Sequence, residues 1–203
     1  MDYTLYTSET SPYGRKCRAL IMEKGLEAKV ELAFAAPLEN PAELTAANSL
    51  GKVPALIRQN RPAIIDSPLI CEFLDTLNDE RWIPASGESR FLVLRQQAIA
   101  DGLIDITVGR RIELGREDQL KWDFWVQRWQ DAIARTVDML EAERGQFERS
   151  VDLGALSVAT ALGYLDFRYP EFDWRARCPG LAAFAQSWFE RESFTQTRPP
   201  EGA

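Results

Sequence analysis

Two serine–proline pairs constrain this chain most. Ser11-Pro12 and Ser67-Pro68 each follow a short strand-like run, Tyr3-Thr4-Leu5-Tyr6 in one case and Ala63-Ile64-Ile65 in the other, and each opens a segment of helical periodicity. A proline in the first helical turn sacrifices no hydrogen bond, so both pairs read as strand-to-helix transitions with Pro at the first helical position. After Ser11, Tyr13, Cys17, Leu20 and Ile21 share one face, closed by Gly25. After Ser67, Ile70, Phe73, Leu74 and Leu77 recur at i, i+3, i+4 and i+7. The opening of the chain is therefore an alternation of strands and helices, and it stops near Leu77.

A turn-rich stretch from Asn78-Asp79-Glu80 to Ser86-Gly87-Glu88 follows, and beyond Ser89 almost everything reads helical. Phe91 to Ile112 is one long candidate. Trp122, Trp125, Val126, Trp129, Ile133, Val137 and Leu140 form the stripe of a second, read as core or helix-packing surface. A third runs through Leu156 to Tyr164 with Asp152 as its cap, although Ala155 occupies the place where a reciprocal capping box needs an acid. The expected organisation is an α/β N-terminal domain over 1–78, a linker over 79–88 and an all-helical domain over 89–203, which 203 residues accommodate.

Three segments in the first part carry chemistry. A hydroxyl at the helix start, Ser11, meets free backbone N–H groups and the positive end of the helix dipole, where it can cap the helix or help stabilise an anion such as a thiolate. In Gly51-Lys52-Val53-Pro54 the proline precedes a strand-like Ala55-Leu56-Ile57, which points to an edge or a turn. A cis Val53-Pro54 bond would turn the Val53 backbone outward to pair with an extended ligand; a trans bond would make it an ordinary loop. At Asp66-Ser67 the serine can receive a carboxylate while the aspartate pairs with an ammonium, which suits an amino-acid head group.

Composition narrows the classes. A net charge of -7 argues against a phosphate-backbone partner. With no histidine in the chain, imidazole catalysis and a Ser-His-Asp triad are excluded. Cys17, Cys71 and Cys178 have no metal-ligand spacing, so no metal is expected, and Cys17, on an apolar helix face, reads as a buried residue. The first residues lack a basic region followed by an apolar stretch, and a cytoplasmic location is expected.

With these motifs in order, the chain resembles the glutathione S-transferase superfamily over nearly its whole length, in particular the bacterial-type members with a serine-using active site. The resemblance implies a thioredoxin-like glutathione-binding domain followed by an all-α helical bundle. It also implies that Ser11 occupies the position that activates the glutathione sulfur. Lys52 would lie near the glycyl carboxylate, Val53, placed by the cis-proline signature at Pro54, would pair with the cysteinyl backbone, and Asp66 and Ser67 would hold the γ-glutamyl end. Ser11-Pro12-Tyr13-Gly14 is also similar to a glutaredoxin Cys-Pro-Tyr-Cys with both cysteines replaced, so dithiol chemistry has no sulfur here.

The activity so implied is transfer of glutathione, as co-substrate, to a small hydrophobic electrophile in a detoxifying conjugation by a homodimer. Tyr13 and the first turns of the long helix are candidate walls for the second substrate. Asp101 is a candidate to reach the γ-glutamyl ammonium across a dimer interface. A glutathione-dependent disulfide or peroxide reductase, a dehalogenase, and a non-catalytic interaction protein on the same fold stand as alternatives.

Overall fold

In the computed structural model, which describes residues 2–202, strands and helices alternate from the start. The order is β1 (Tyr3–Thr7), α1 (Pro12–Glu23), β2 (Val30–Phe34), α2 (Ala42–Ala47), β3 (Ala55–Arg58), β4 (Arg61–Ile65) and α3 (Ser67–Asp75). Then come α4 (Gly87–Leu114), α5 (Asp123–Ala142), α6 (Leu153–Arg168), α7 (Trp174–Arg177), α8 (Pro179–Phe189) and α9 (Glu192–Gln196). This is the expected thioredoxin-like plus helical architecture.

The strands form one mixed sheet in the order β2-β1-β3-β4, with β1 parallel to β2 and β3 antiparallel to both its neighbours. A parallel pair needs a crossover, and α1 supplies it. β2 carries no clean alternation, since Val30 is buried while Leu32 and Phe34 stay exposed on an edge strand, and periodicity does not reveal it. Pro54 precedes an interior strand, so it marks a turn and not an edge. Pro62 lies within β4, an edge strand, where its missing N–H breaks no central ladder.

The chain forms two compact units, one of residues up to Phe91 together with those from Arg191 onward, the other of Leu92–Glu190. In the first unit α1 is buried well beyond the single face its apolar stripe suggests. Pro12 and all of Gly14 to Ile21 are buried, and only Tyr13 near the start is half-buried. The reason is that α1 is covered twice. Cys17 meets Cys71 of α3, sulfur to sulfur at 3.8 Å, and on another side the C-terminal segment closes over it. The Arg15 guanidinium lies over the Phe194 ring and donates to the Phe194 carbonyl at 3.1 Å and to Thr197 Oγ1 at 3.4 Å. Glu23 accepts hydrogen bonds from Arg191 and Ser193.

The stretch 79–88 is held by a buried ion pair. Lys24 Nζ lies 2.9 Å from Asp75 Oδ1 and also donates to the Glu80 carbonyl, while the Asp75 carboxylate accepts from the N–H groups of Trp82 and Ile83 at 2.8 and 3.1 Å. Trp82 and Ile83 are themselves buried. Every polar group in this cluster has a partner, which is what makes a buried charge pair tolerable.

In the second unit α6 is buried from Leu153 to Leu165 on all sides, the mark of a central helix, and Asp152 Oδ1 caps it by accepting from Ala155 N at 2.8 Å. The aromatic stripe of α5 divides. Ile133, Val137 and Leu140 enter the core, but Trp122, Phe124 and Trp125 pack against one another on the surface, with Trp122 60% exposed. Periodicity places such residues on one face without saying where the neighbouring elements end. Among the described residues no helix is long and apolar enough to cross a membrane, and no group of three or more His, Cys, Asp or Glu is placed to hold a metal.

Candidate functional site

The sheet register brings the three chemical segments to one end of the first unit. Ala55, the first residue of β3, is paired with Tyr6 near the end of β1 and with Ile65 at the end of β4. Because β3 is antiparallel to both, the residues before Ala55 emerge beside those after Thr7 and after Ile65. With strands ~4.8 Å apart, Val53-Pro54, the approach to Ser11 and Asp66-Ser67 leave the sheet within about two strand spacings. Ser11, Lys52, Val53, Pro54, Asp66 and Ser67 thus border one rim.

Ser11 is the N-cap of α1. Its backbone is extended (φ -73°, ψ 119°), its Oγ accepts from Gly14 N at 3.1 Å, and its carbonyl accepts from Arg15 N at 2.8 Å. A hydroxyl accepts and donates at once, so the cap uses a lone pair and leaves the O–H proton to be directed at an anion. Capping and anion stabilisation are compatible uses of this group. Gly14 is required by close approach: a Cβ there would collide with the hydroxyl of Thr7, a fully buried side chain at the end of β1.

The Val53-Pro54 peptide is cis. Pro54 is buried, Val53 is half-buried and Lys52 is exposed. The loop before them is organised by Asn48, whose Nδ2 donates to the Lys52 carbonyl at 2.8 Å and whose Oδ1 accepts from Leu50 N at 3.1 Å. Gly51 has φ +63°, a conformation that favours glycine.

The second serine–proline pair is phased differently from the first. Asp66, not Ser67, is the N-cap of α3, and Ser67 and Pro68 take the first two helical positions. Asp66 holds φ +72°, unusual for a non-glycine residue, and its carboxylate makes no cap hydrogen bond. The side chain is exposed at the rim. Ser67 is 1% exposed, and its Oγ is buried with no hydrogen-bond partner. Native proteins rarely leave such a group unsatisfied, and those that do are worth explaining.

Two positioning residues were invisible to motif reading. Asn48 is one, although an Asn shortly before Gly51 is a turn signal. The other is Arg18, whose Nη2 donates to the Glu9 carbonyl in the loop leading to Ser11, at 3.3 Å, and whose guanidinium lies over the Phe34 ring. Burial lowers its pKa below the usual arginine value, with the charge of Glu9 acting in the opposite sense. Tyr13 is half-buried beside the rim. Asp101 and Asp105 lie on α4 in the second unit, the former half-buried and the latter exposed.

Sequence comparison matches residues 10–77 to the glutathione S-transferase N-terminal domain and residues 123–187 to the glutathione S-transferase C-terminal domain. An uncharacterised GST-like protein of Escherichia coli K12, YibF, is 31% identical over 201 residues, covering 97% of this chain and 98% of its own. The chain belongs to the glutathione S-transferase family. A crystal structure of a glutathione transferase family member from Pseudomonas fluorescens Pf-5 with bound glutathione shares 38% identity, with a TM-score of 0.93 over 98% of this chain and 99% of that one. Another from the same organism, with bound S-(propanoic acid)-glutathione, is 36% identical, with a TM-score of 0.89 over 99% of each chain. Family membership at this likeness covers both units.

Proposed function

We propose that the protein is a glutathione transferase that binds reduced glutathione along the rim of the first unit and presents its sulfur, as thiolate, beside Ser11. The observation that carries this reading is the convergence of the three segments at one end of the sheet, where the buried Ser67 hydroxyl lacks a partner. In this reading the γ-glutamyl carboxylate satisfies Ser67 and the N-terminus of α3, Asp66 pairs with the ammonium, and the Val53 backbone pairs with the cysteinyl residue. Lys52, exposed on the loop, meets the glycyl carboxylate. The glutathione-bound relatives support it, and the S-substituted glutathione held by one of them supports a site open at the sulfur.

The chemistry needs no general base. On binding, the thiol loses its proton to solvent, and the Ser11 hydroxyl and the N-terminus of α1 stabilise the sulfur anion. The thiolate then attacks an electrophilic carbon, a carbon–sulfur bond forms, and the leaving group departs with the bonding electrons. Calorimetric titration with reduced glutathione, followed by turnover of an aryl halide, tests the proposal. Saturable binding and conjugate formation are expected. No binding at millimolar glutathione would overturn it, and turnover of mixed disulfides without any conjugation would replace transfer by reduction.

A further inference from the structure

The second unit contains a small cavity of ≈ 90 Å³ lined by Arg110 on α4, Gln130 and Ile133 on α5, and Tyr169, Glu171 and Phe172 just after α6. At about 30 Å³ per water it has room for roughly three waters, or for the head of a small molecule. Its chemistry is dominated by Arg110. Arg95, Arg144, Arg175 and Arg177 of the same unit each pair with a carboxylate, but no carboxylate of the described residues lies within ion-pair distance of Arg110. It donates to Gln130 Oε1 at 3.0 Å and hydrogen-bonds the Tyr169 side chain, its Nε is buried without a partner, and its guanidinium lies over Tyr169, 4.3 Å from the ring centroid. A guanidinium has five donors in a planar fork suited to a carboxylate. None of it is spent on a carboxylate of the described residues, and the buried Nε is unmatched.

The walls specify the rest of a ligand. Tyr169 is buried and its hydroxyl reaches the Thr107 carbonyl at only 3.4 Å, a long bond that turning the O–H toward a better acceptor would replace at little cost. Burial raises its pKa above the usual tyrosine value despite the neighbouring Arg110, so the hydroxyl is a donor at neutral pH. Ile133 is buried and Phe172 half-buried, so two sides offer apolar surface that an inorganic anion cannot use. Glu171 is exposed at the rim, where its charge opposes an anion but is screened by water and salt.

We propose that this cavity is a binding site for a small organic carboxylate, whose charged end is held by Arg110 and Tyr169 and whose carbon stem lies against Ile133 and Phe172. The site lies wholly in the second unit and does not depend on the glutathione reading. Amide-resolved NMR of the full chain titrated with sodium propanoate at constant ionic strength tests it. Saturating shifts at millimolar concentration are expected around residues 107–110, 130–133 and 169–172. Propanamide, of the same shape without the charge, should bind about 10-fold more weakly or worse, as should propanoate to R110Q; a charged donor pair of ~1.4 kcal/mol or more corresponds to that factor. E171Q should bind propanoate more tightly than the parent. Absence of saturating shifts, equal binding of propanamide to the unaltered protein, or equal competition by inorganic phosphate would overturn the proposal.

Discussion

Ser11 and Ser67 occupy similar dipeptides and do opposite things. The first is bonded to its own helix and contributes to holding it; the second is buried one position further into the helix with its hydroxyl unmatched. Ser67→Ala therefore has effects of opposite sign on stability and on binding. Without ligand it removes an unsatisfied buried group and should leave the urea midpoint unchanged or raised. With glutathione it removes a hydrogen bond to a charged group, worth about 1.5–3 kcal/mol, and should weaken binding roughly 10- to 100-fold by calorimetry. A fall in stability with unchanged affinity would mean the hydroxyl serves the fold. This phase difference could not be read from the sequence, because Ser-Pro fits either the cap or the first turn and the choice depends on how the preceding strand ends.

Among elements, α1 is held at its C-terminal end by two carboxylates, and they respond differently to change. Asp75 supports Lys24 and two backbone N–H groups in a buried cluster, so Asp75→Ala leaves a cation and donors unmatched at once. A loss of about 3–5 kcal/mol in urea unfolding is expected. Glu23 tethers α9. Burial alone would raise its pKa, but hydrogen bonds from Arg191 and Ser193 and the guanidinium charge outweigh that and hold it below the ordinary 4.5. A depressed carboxylate contributes stability above its unfolded pKa and loses it as pH falls through the folded one. The tether should therefore weaken below about pH 4.5, and Glu23→Gln should flatten that part of the stability–pH curve. An unchanged curve would contradict this assignment. The helices themselves were legible from periodicity and cap residues, down to Asp152. β2, with its exposed Leu32 and Phe34, was not, because an edge strand with few buried positions leaves no period to detect.

At the scale of the whole molecule, the chain's last segment belongs with its first. Phe194, 1% exposed, closes the first unit beneath the Arg15 guanidinium, and Phe194→Ala should cost about 3–5 kcal/mol in denaturant unfolding. This return is long-range packing between residues about 180 positions apart, and no local pattern encodes it. The rim, in contrast, was legible because its groups are set by three short motifs, while the sheet register that brings them together was not. The measurement that bears most directly on the account is the ultraviolet thiolate absorbance of bound glutathione against pH, in the parent, Ser11→Ala and Ser11→Asp. Free cysteine thiols ionise near pH 8.5, and the thiol of glutathione bound to the parent should have its pKa about two pH units lower. Ser11→Ala should raise it, and Ser11→Asp, which keeps the cap and therefore the stability, should raise it further by placing a negative charge beside the sulfur. The same titration curve in all three proteins would contradict the account.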